Sequence, residues 1–194
     1  MWSIVRPSDA AVQSFLAAQA STPFSYPEVG GTREAFPAGY QHDFNRVQLG
    51  TGEDIFQRAC QAIRQWQMFP RSWTCPMPEN VPIDEGRSVA VLAKALGVWW
   101  LNSCRIVYVL DESAPLRRFG FAYGTVTHAE CGEERFSVEW LPDDTVWYDL
   151  RAFSRPQHWT ARLGYPLARR LQRRFAQDSL QSMRAAVMTQ PLAA

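Results

Sequence analysis

The sequence lacks the short motifs that mark several common classes of protein. Its four cysteines, Cys60, Cys75, Cys104 and Cys131, include no CxxC pair, so neither a zinc ribbon nor a redox pair is supported. It also contains no GxGxxG segment, no GKS or GKT loop and no HExxH sequence. These absences remove the usual sequence support for nucleotide binding and for zinc-peptidase activity.

Long apolar runs are missing as well. No segment approaches the roughly 18 uninterrupted apolar residues that a membrane span requires. The start, MWSIVRPSDAAV, has no basic leader followed by a long apolar run, the pattern typical of a signal peptide. We therefore expect a cytoplasmic location, a reduced state of the cysteines and no membrane span.

Neither sign of charge is in clear excess, since the formal net charge is only +1. This balance argues against nucleic acid as a partner and against a membrane-binding surface that extends over the whole chain. Four arginines, Arg169, Arg170, Arg173 and Arg174, do cluster near the C-terminus. We interpret them as the solvated side of an amphipathic helix, with a surface for a partner as the alternative.

What is present indicates a globular fold. A chain of 194 residues with 46% hydrophobic residues suits one domain, which we expect to span 1–194. Within it, residues 1–40 are predicted to form an N-terminal helix and a wrapping arm, and 188–194 a frayed tail. The eight tryptophans suggest either a thick core or a cavity lined with rings.

The hydrophobic periodicity predicts an α+β fold. An imperfect strand at 42–50 precedes a helix with an apolar stripe, and strand-like segments joined by short connections run from Ser88 to Ser154. Short connections indicate antiparallel strands. Leu167, Leu171 and Phe175 then repeat every four residues. We expect a curved antiparallel sheet that grips this long C-terminal helix, with the three residues buried against its concave face.

Three blocks of sequence carry a resemblance to a known family. They are GYQHDFNRVQLGTGEDIFQRA, FGFAYGTVTHAECGEERFSVEW and FSRPQHWTARLGYPLARRLQRRFAQDSLQSM. Together they resemble a family of uncharacterised proteins classified only as a domain of unknown function, of the UPF type. Its order of elements looks like that of the START and pollen-allergen helix-grip superfamily. That likeness implies a START-like fold and a cavity for apolar small molecules, in which some members catalyse reactions.

The second block contains most of the candidate site residues. Tyr123, Thr125, His128, Glu133 and Glu134 fall in one apparent hairpin. Three interpretations stay open: a solvated turn that bends at a glycine, a polar cluster at the mouth of a cavity, or a metal site. One histidine with flexible acids is a poor metal site, so we expect no metal. We expect the first three residues to line a pocket mouth and the two glutamates to shape its rim.

Asp43 and Arg46 near the first strand are further candidates for ligand binding. The plainer interpretation is an ion pair at the end of a strand, which is usually worth little. A nucleophile is hard to assemble, because Ser154 near His158 lacks a glycine-rich elbow. Cys131 and His128 lie in one turn, and such neighbours rarely point together.

We therefore predict a protein that binds an apolar or aromatic small molecule and needs no cofactor. Two alternatives stay open, and the sequence does not decide whether a reaction is catalysed. One is an enzyme that uses Tyr123, His128 or a glutamate as an acid–base group in the same cavity. The other is an interaction protein that presents its basic C-terminal helix. The oligomeric state is not predicted.

Overall fold

The computed structural model describes residues 1–33, 35–79, 81–127, 130–156 and 165–189. These residues form an α+β arrangement of eight strands and three helices. The strands are β1 (Trp2–Ser3), β2 (Gln41–Thr51), β3 (Thr74–Met77), β4 (Ser88–Ala95), β5 (Val98–Glu112), β6 (Arg117–Thr127), β7 (Glu130–Trp140) and β8 (Thr145–Pro156). The helices are α1 (Asp9–Ala18), α2 (Glu53–Arg64) and α3 (Tyr165–Thr189).

All eight strands belong to one antiparallel sheet. Its order is β2-β8-β7-β6-β5-β4-β3, and β1 pairs with the start of β5. The chain runs from β4 to β8 with only short connections, which is why each of these strands lies antiparallel beside the preceding one. The predicted sheet over 88–154, with the strand near residue 42 in it, is confirmed by the pairing of Gln41 with Ser154.

The glutamate-rich stretch belongs to a strand rather than to a turn. β7 begins at Glu130, so Glu133 and Glu134 pair with Gly124 and Tyr123 of β6. Gly132 is required here by a close approach, since a Cβ atom at this position would lie 1.9 Å from the carbonyl oxygen of Phe153. The solvated-turn interpretation is therefore wrong for residues 130–134. Residues 128 and 129, and so the predicted site residue His128, lie outside the described residues.

One face of the sheet, here called the inner face, packs against α2 and α3. The main hydrophobic core combines apolar residues of both helices with alternate residues of the strands. Phe56, Ala59 and Ile63 of α2 are buried in it, as their helical spacing requires. On the strands, Phe121 and Phe136 supply rings to the same core.

The opposite face, here called the outer face, is covered by the N-terminal part of the chain. Val12 of α1 is buried against Leu92 and Leu101. The segment 21–40, here called the arm, follows α1 and packs Tyr26 against Phe153. The sheet is thus covered on both faces, by different parts of the chain.

The long helix α3 contacts the inner face unevenly along its length. Met183 and Val187 near its end are fully buried. Leu171 and Phe175 are only partly buried, and Leu167 is 40% exposed. The prediction that the first half of the helix is buried against the sheet was wrong for Leu167, because this half spans an open space instead of a packed core.

None of the helices in the described ranges combines the length and the apolar character that a membrane span requires.

We predict that truncations along α3 have unequal costs. Met183→Ala should lower the free energy of unfolding by about 2–5 kcal/mol, as expected for a buried side chain in a packed core. Leu171→Ala should cost less than about 1 kcal/mol, because part of its surface already faces empty space. Urea unfolding at pH 7 measures both, and equal costs would mean that the helix is packed evenly along its whole length.

Candidate functional site

A cavity of about 550 Å³ lies between the inner face of the sheet and the first half of α3. This volume is in the range of small-molecule sites in proteins. Much of its wall is apolar and aromatic, and includes Phe69, Trp73, Trp100, Leu150, Leu171 and Phe175. Its polar wall residues include Asp43, Asn45, Asn102, Tyr123, Glu130 and Glu134.

The cavity shows that the sheet bends around the helices. Asn45 of β2 and Val91 of β4 both line it, although their strands are separated by four others in the sheet order. In a flat sheet two such strands would lie about 24 Å apart. Register shifts in β5, between Ser103 and Cys104 and between Ile106 and Tyr108, mark bulges, which bend a strand locally.

Small side chains on the inner face leave the space open. Ala93 of β4 and Ala152 of β8 line the cavity, and Ala168 of α3 lines it from the opposite side. The alternation of side chains along β8 places Ala152 on the same face as Leu150 and Tyr148 of the core. The core is therefore filled beneath the end of α3 and unfilled beneath its beginning.

Glu134 is the most unusual group in the cavity wall. The hydroxyl of Tyr123 donates a hydrogen bond of 2.7 Å to its Oε2 atom, and no ion pair reaches it from any described residue. Burial raises the pKa of this carboxyl to about 7, although the hydrogen bond from Tyr123 acts in the opposite direction. The negative charge of Asp43 raises the pKa further. Glu134 is thus a carboxyl that changes its protonation near neutral pH.

A second polar cluster ties the beginning of α3 to the sheet. The guanidinium of Arg169 donates two hydrogen bonds of 2.6 Å to the two carboxylate oxygens of Asp43. The side-chain amide of Gln172 donates to Glu130 and, at 3.2 Å, to Ser154. Burial raises the pKa of Glu130. These contacts connect α3 to β2, β7 and β8 at the edge of the cavity.

Glu133 belongs to a different environment from that of Glu134. Successive residues of a strand point to opposite faces, so its carboxylate lies on the outer face. There it accepts hydrogen bonds from the Tyr26 hydroxyl and the Gly30 amide, both at 2.7 Å, and from the amide and hydroxyl of Thr32. Glu133 therefore fixes the arm to the sheet.

Sequence comparison places the chain in a family. Residues 25–182 match the domain of unknown function DUF1990. The chain belongs to the DUF1990 family. It is 35% identical over 208 residues to a UPF0548 protein of Dictyostelium discoideum, with 96% of each chain covered. It is 34% identical over 189 residues to a UPF0548 protein of Deinococcus radiodurans, which covers 91% of this chain and 93% of that one.

Among solved structures, the chain is similar to the crystal structure of a hypothetical protein from Helicobacter pylori. The TM-score is 0.51 at 11% sequence identity, and the match covers 84% of this chain and 95% of the other. At this identity the likeness shows a shared fold only. The predicted membership of a UPF-type family of unknown function is confirmed by the sequence relatives.

The structure brings together some of the predicted site residues and separates others. Tyr123, Thr125, Glu134 and Asp43 line the cavity. Tyr123 and Glu134 lie within its wall rather than at a rim. The hydroxyl of Thr125 is already used within the protein. It forms a hydrogen bond of 2.6 Å with the hydroxyl of Ser25 in the arm and also bonds to the backbone of Gly132.

Two of the other three predicted residues direct their charged groups away from the cavity. Glu133 contributes to the cavity wall but directs its carboxylate to the arm, so its predicted place at the rim was wrong. Arg46 lies on the outer face, where it forms ion pairs with Glu139 at 3.0 Å and Asp149 at 3.3 Å. His128 lies outside the described residues. Within the described ranges no three His, Cys, Asp or Glu side chains gather as a metal-binding group.

Sequence reasoning missed Arg169 and Gln172. Arg169 was assigned to a solvated helix side, yet its side chain is only 11% exposed, because it pairs with Asp43. Its partner lies 126 residues away along the chain, so no local pattern indicates the pair. The sequence did contain one signal. The segment that forms α3 carries polar residues on several sides, so one of those sides can face a partly polar cavity instead of solvent.

We predict a pH dependence of stability that Glu134→Gln removes. The folded pKa of about 7 exceeds the ordinary value of 4.5, so this carboxyl stabilises the fold fully below pH 4.5 and loses that contribution as the pH rises through 7. From pH 5 to pH 8 the wild type should therefore lose about 2–3 kcal/mol relative to Glu134→Gln.

Urea unfolding of both proteins at pH 5 and pH 8 measures this difference, and Glu79→Gln, at an exposed position, is the matched control. An equal response of wild type and Glu134→Gln to pH would contradict the raised pKa of Glu134.

Proposed function

We propose that the protein binds an apolar or aromatic small molecule in the cavity beneath the first half of α3. The observation that carries the proposal is the cavity of about 550 Å³ with a largely apolar and aromatic wall. The cavity is partly open, so its apolar lining contacts water unless a ligand covers it, and removing apolar surface from water is favourable. A bound molecule covers that lining, and the few polar wall groups fix its orientation.

We further propose that the fold is the helix-grip arrangement of the START and pollen-allergen superfamily. One strand, a helix and then a meander of strands precede the long C-terminal helix, which lies across the inner face of the sheet. A cavity between helix and sheet is the feature that this arrangement provides. The analogy supports a binding role but does not identify a ligand.

The arginines of α3 give less support to an interaction surface. Of the four clustered arginines, Arg169 pairs with Asp43 and Arg174 with Asp178 of the same helix, whereas Arg170 and Arg173 are exposed. Half of the cluster is therefore used within the chain, which reduces the charge that it could offer to a partner. Acid–base catalysis in the cavity is the second candidate, because the pKa of about 7 at Glu134 suits proton transfer near neutral pH.

The proposal predicts that a small molecule remains with the protein during purification. Native mass spectrometry of the wild-type protein should show an added mass that is lost on denaturation. Ala168→Phe should reduce the added mass, because Ala168 lines the cavity and a ring there occupies part of the space that the molecule needs. Ala185→Phe introduces the same ring at an exposed position of the same helix and should leave the added mass unchanged.

The proposal would be contradicted if the wild-type protein showed no added mass, both as purified and after incubation with a cell extract enriched in hydrophobic compounds. An added mass of equal occupancy in wild type and Ala168→Phe would also contradict it, since a molecule beneath the first half of α3 would compete with the new ring for space.

A further inference from the structure

We infer that the cavity is built for an organic amine, a protonated ammonium group on an apolar or aromatic body, with the ammonium bound to the carboxylate of Glu134. The inference deepens the proposed function and rests on it. It specifies which polar group the apolar ligand carries and where that group is bound.

The first step is the incomplete set of partners of Glu134. Its Oε2 atom accepts one hydrogen bond from Tyr123, and within the described ranges no donor reaches its Oε1 atom. A carboxylate can accept about four hydrogen bonds. Glu134 also lines the cavity and is partly accessible. Further donors can reach the carboxyl from the cavity side, either as water or as a ligand that replaces it, and an ammonium group supplies three.

The second step is the charge of the surroundings. On the helix side, Arg169 is paired with Asp43, and Arg173 is largely exposed. The titratable groups that act on or near Glu134 are Asp43 on β2, Cys104 on β5, Tyr123 on β6 and Tyr148 on β8, together with Glu130 on its own strand. Asp43 and Arg169 form an ion pair and largely offset each other, so the charge that a ligand meets beside Tyr123 is that of the Glu134 carboxylate, which favours a cation and disfavours an anion.

The third step is the set of rings in the cavity wall. Tyr123 bonds to Glu134, and its ring lies 6.4 Å from that of Phe69, which also lines the cavity. Phe175 of α3 lies 5.3 Å from Phe69. Aromatic faces attract cations and also pack against an apolar body. A carboxyl among rings therefore matches a ligand with an ammonium head and an apolar body.

The affinity of Glu134 for an ammonium group should depend on pH. Alkyl amines stay protonated at neutral pH, like the lysine side chain. The carboxyl of Glu134, with a pKa of about 7, is ionised in about one molecule in eleven at pH 6 and in about ten in eleven at pH 8. The affinity for an amine should therefore rise about tenfold from pH 6 to pH 8.

The test compares matched probes by isothermal titration calorimetry on protein freed of bound molecules by unfolding and refolding. Three bodies, phenylethyl, indolylethyl and naphthylethyl, each carry one of three heads: an amine, a methyl group or a carboxylate. For the best-fitting body, we expect the amine to bind at least tenfold more tightly than the methyl compound at pH 8, and the carboxylate to bind most weakly.

Glu134→Gln should remove both the preference for the amine and its pH dependence, while the methyl compound binds as to wild type. Retained binding of the methyl compound also shows that the variant is folded. Glu79→Gln, which makes the same change at an exposed position, should behave like wild type.

The possible failures are distinguishable. Equal affinity for amine and methyl compounds, or an unchanged preference in Glu134→Gln, overturns the amine inference and leaves the proposed function standing. An affinity for the amine probes that falls from pH 6 to pH 8 also overturns it, because the protonated carboxyl would then be the binding form. Failure of all nine probes to bind overturns both the inference and the proposed apolar site.

Discussion

The position of α3 over the sheet depends on attachments at two separate places. At its beginning, Arg169 pairs with Asp43 of β2 through two hydrogen bonds. Further along, Ser179 bonds to Tyr148 of β8 at 2.9 Å, and Met183 is buried in the core. Between these points the sheet presents small side chains, so the helix is held above an unfilled space. The two attachments keep the cavity open, because a helix fixed at both ends cannot collapse onto the sheet between them.

Because side chains alternate along β7, the neighbouring residues Glu133 and Glu134 face opposite sides of the sheet. Glu133 faces outward and is satisfied by four hydrogen bonds from the arm. Glu134 faces inward and has one neutral partner. A buried carboxyl with few donors tends to keep its proton, which is why the pKa of Glu134 is raised. The same residue type thus serves as an anchor on one face and as a titratable group on the other.

Much of the fold follows from local patterns in the sequence. The alternation of Phe136 and Val138 marks β7, and the short connections between strands require antiparallel pairing. The helical spacing of Leu171 and Phe175 marks α3. These features depend on neighbours in sequence, so periodicity is enough to predict them.

The site was harder to predict because its contacts join distant parts of the chain. The face that a strand residue occupies depends on register, and a shift of one residue exchanges the two faces. Glu133 and Glu134 were therefore grouped together, although they lie on opposite sides of the sheet. The sequence predicts a solvated Arg169, because its partner Asp43 lies 126 residues away and the two meet only in the folded chain. Leu167 was expected in the core, because an apolar stripe does not distinguish a packed surface from a cavity wall.

A crystal structure of the protein, purified without denaturation, tests most directly whether a ligand occupies the space beneath α3. We expect continuous electron density for a non-protein molecule between Leu171 and Glu134, with a polar atom within hydrogen-bond distance of the carboxyl. The contradictory result is a closed interior, in which Leu171 and Phe175 pack directly against Leu150 and Ala152 and no space is left for a ligand.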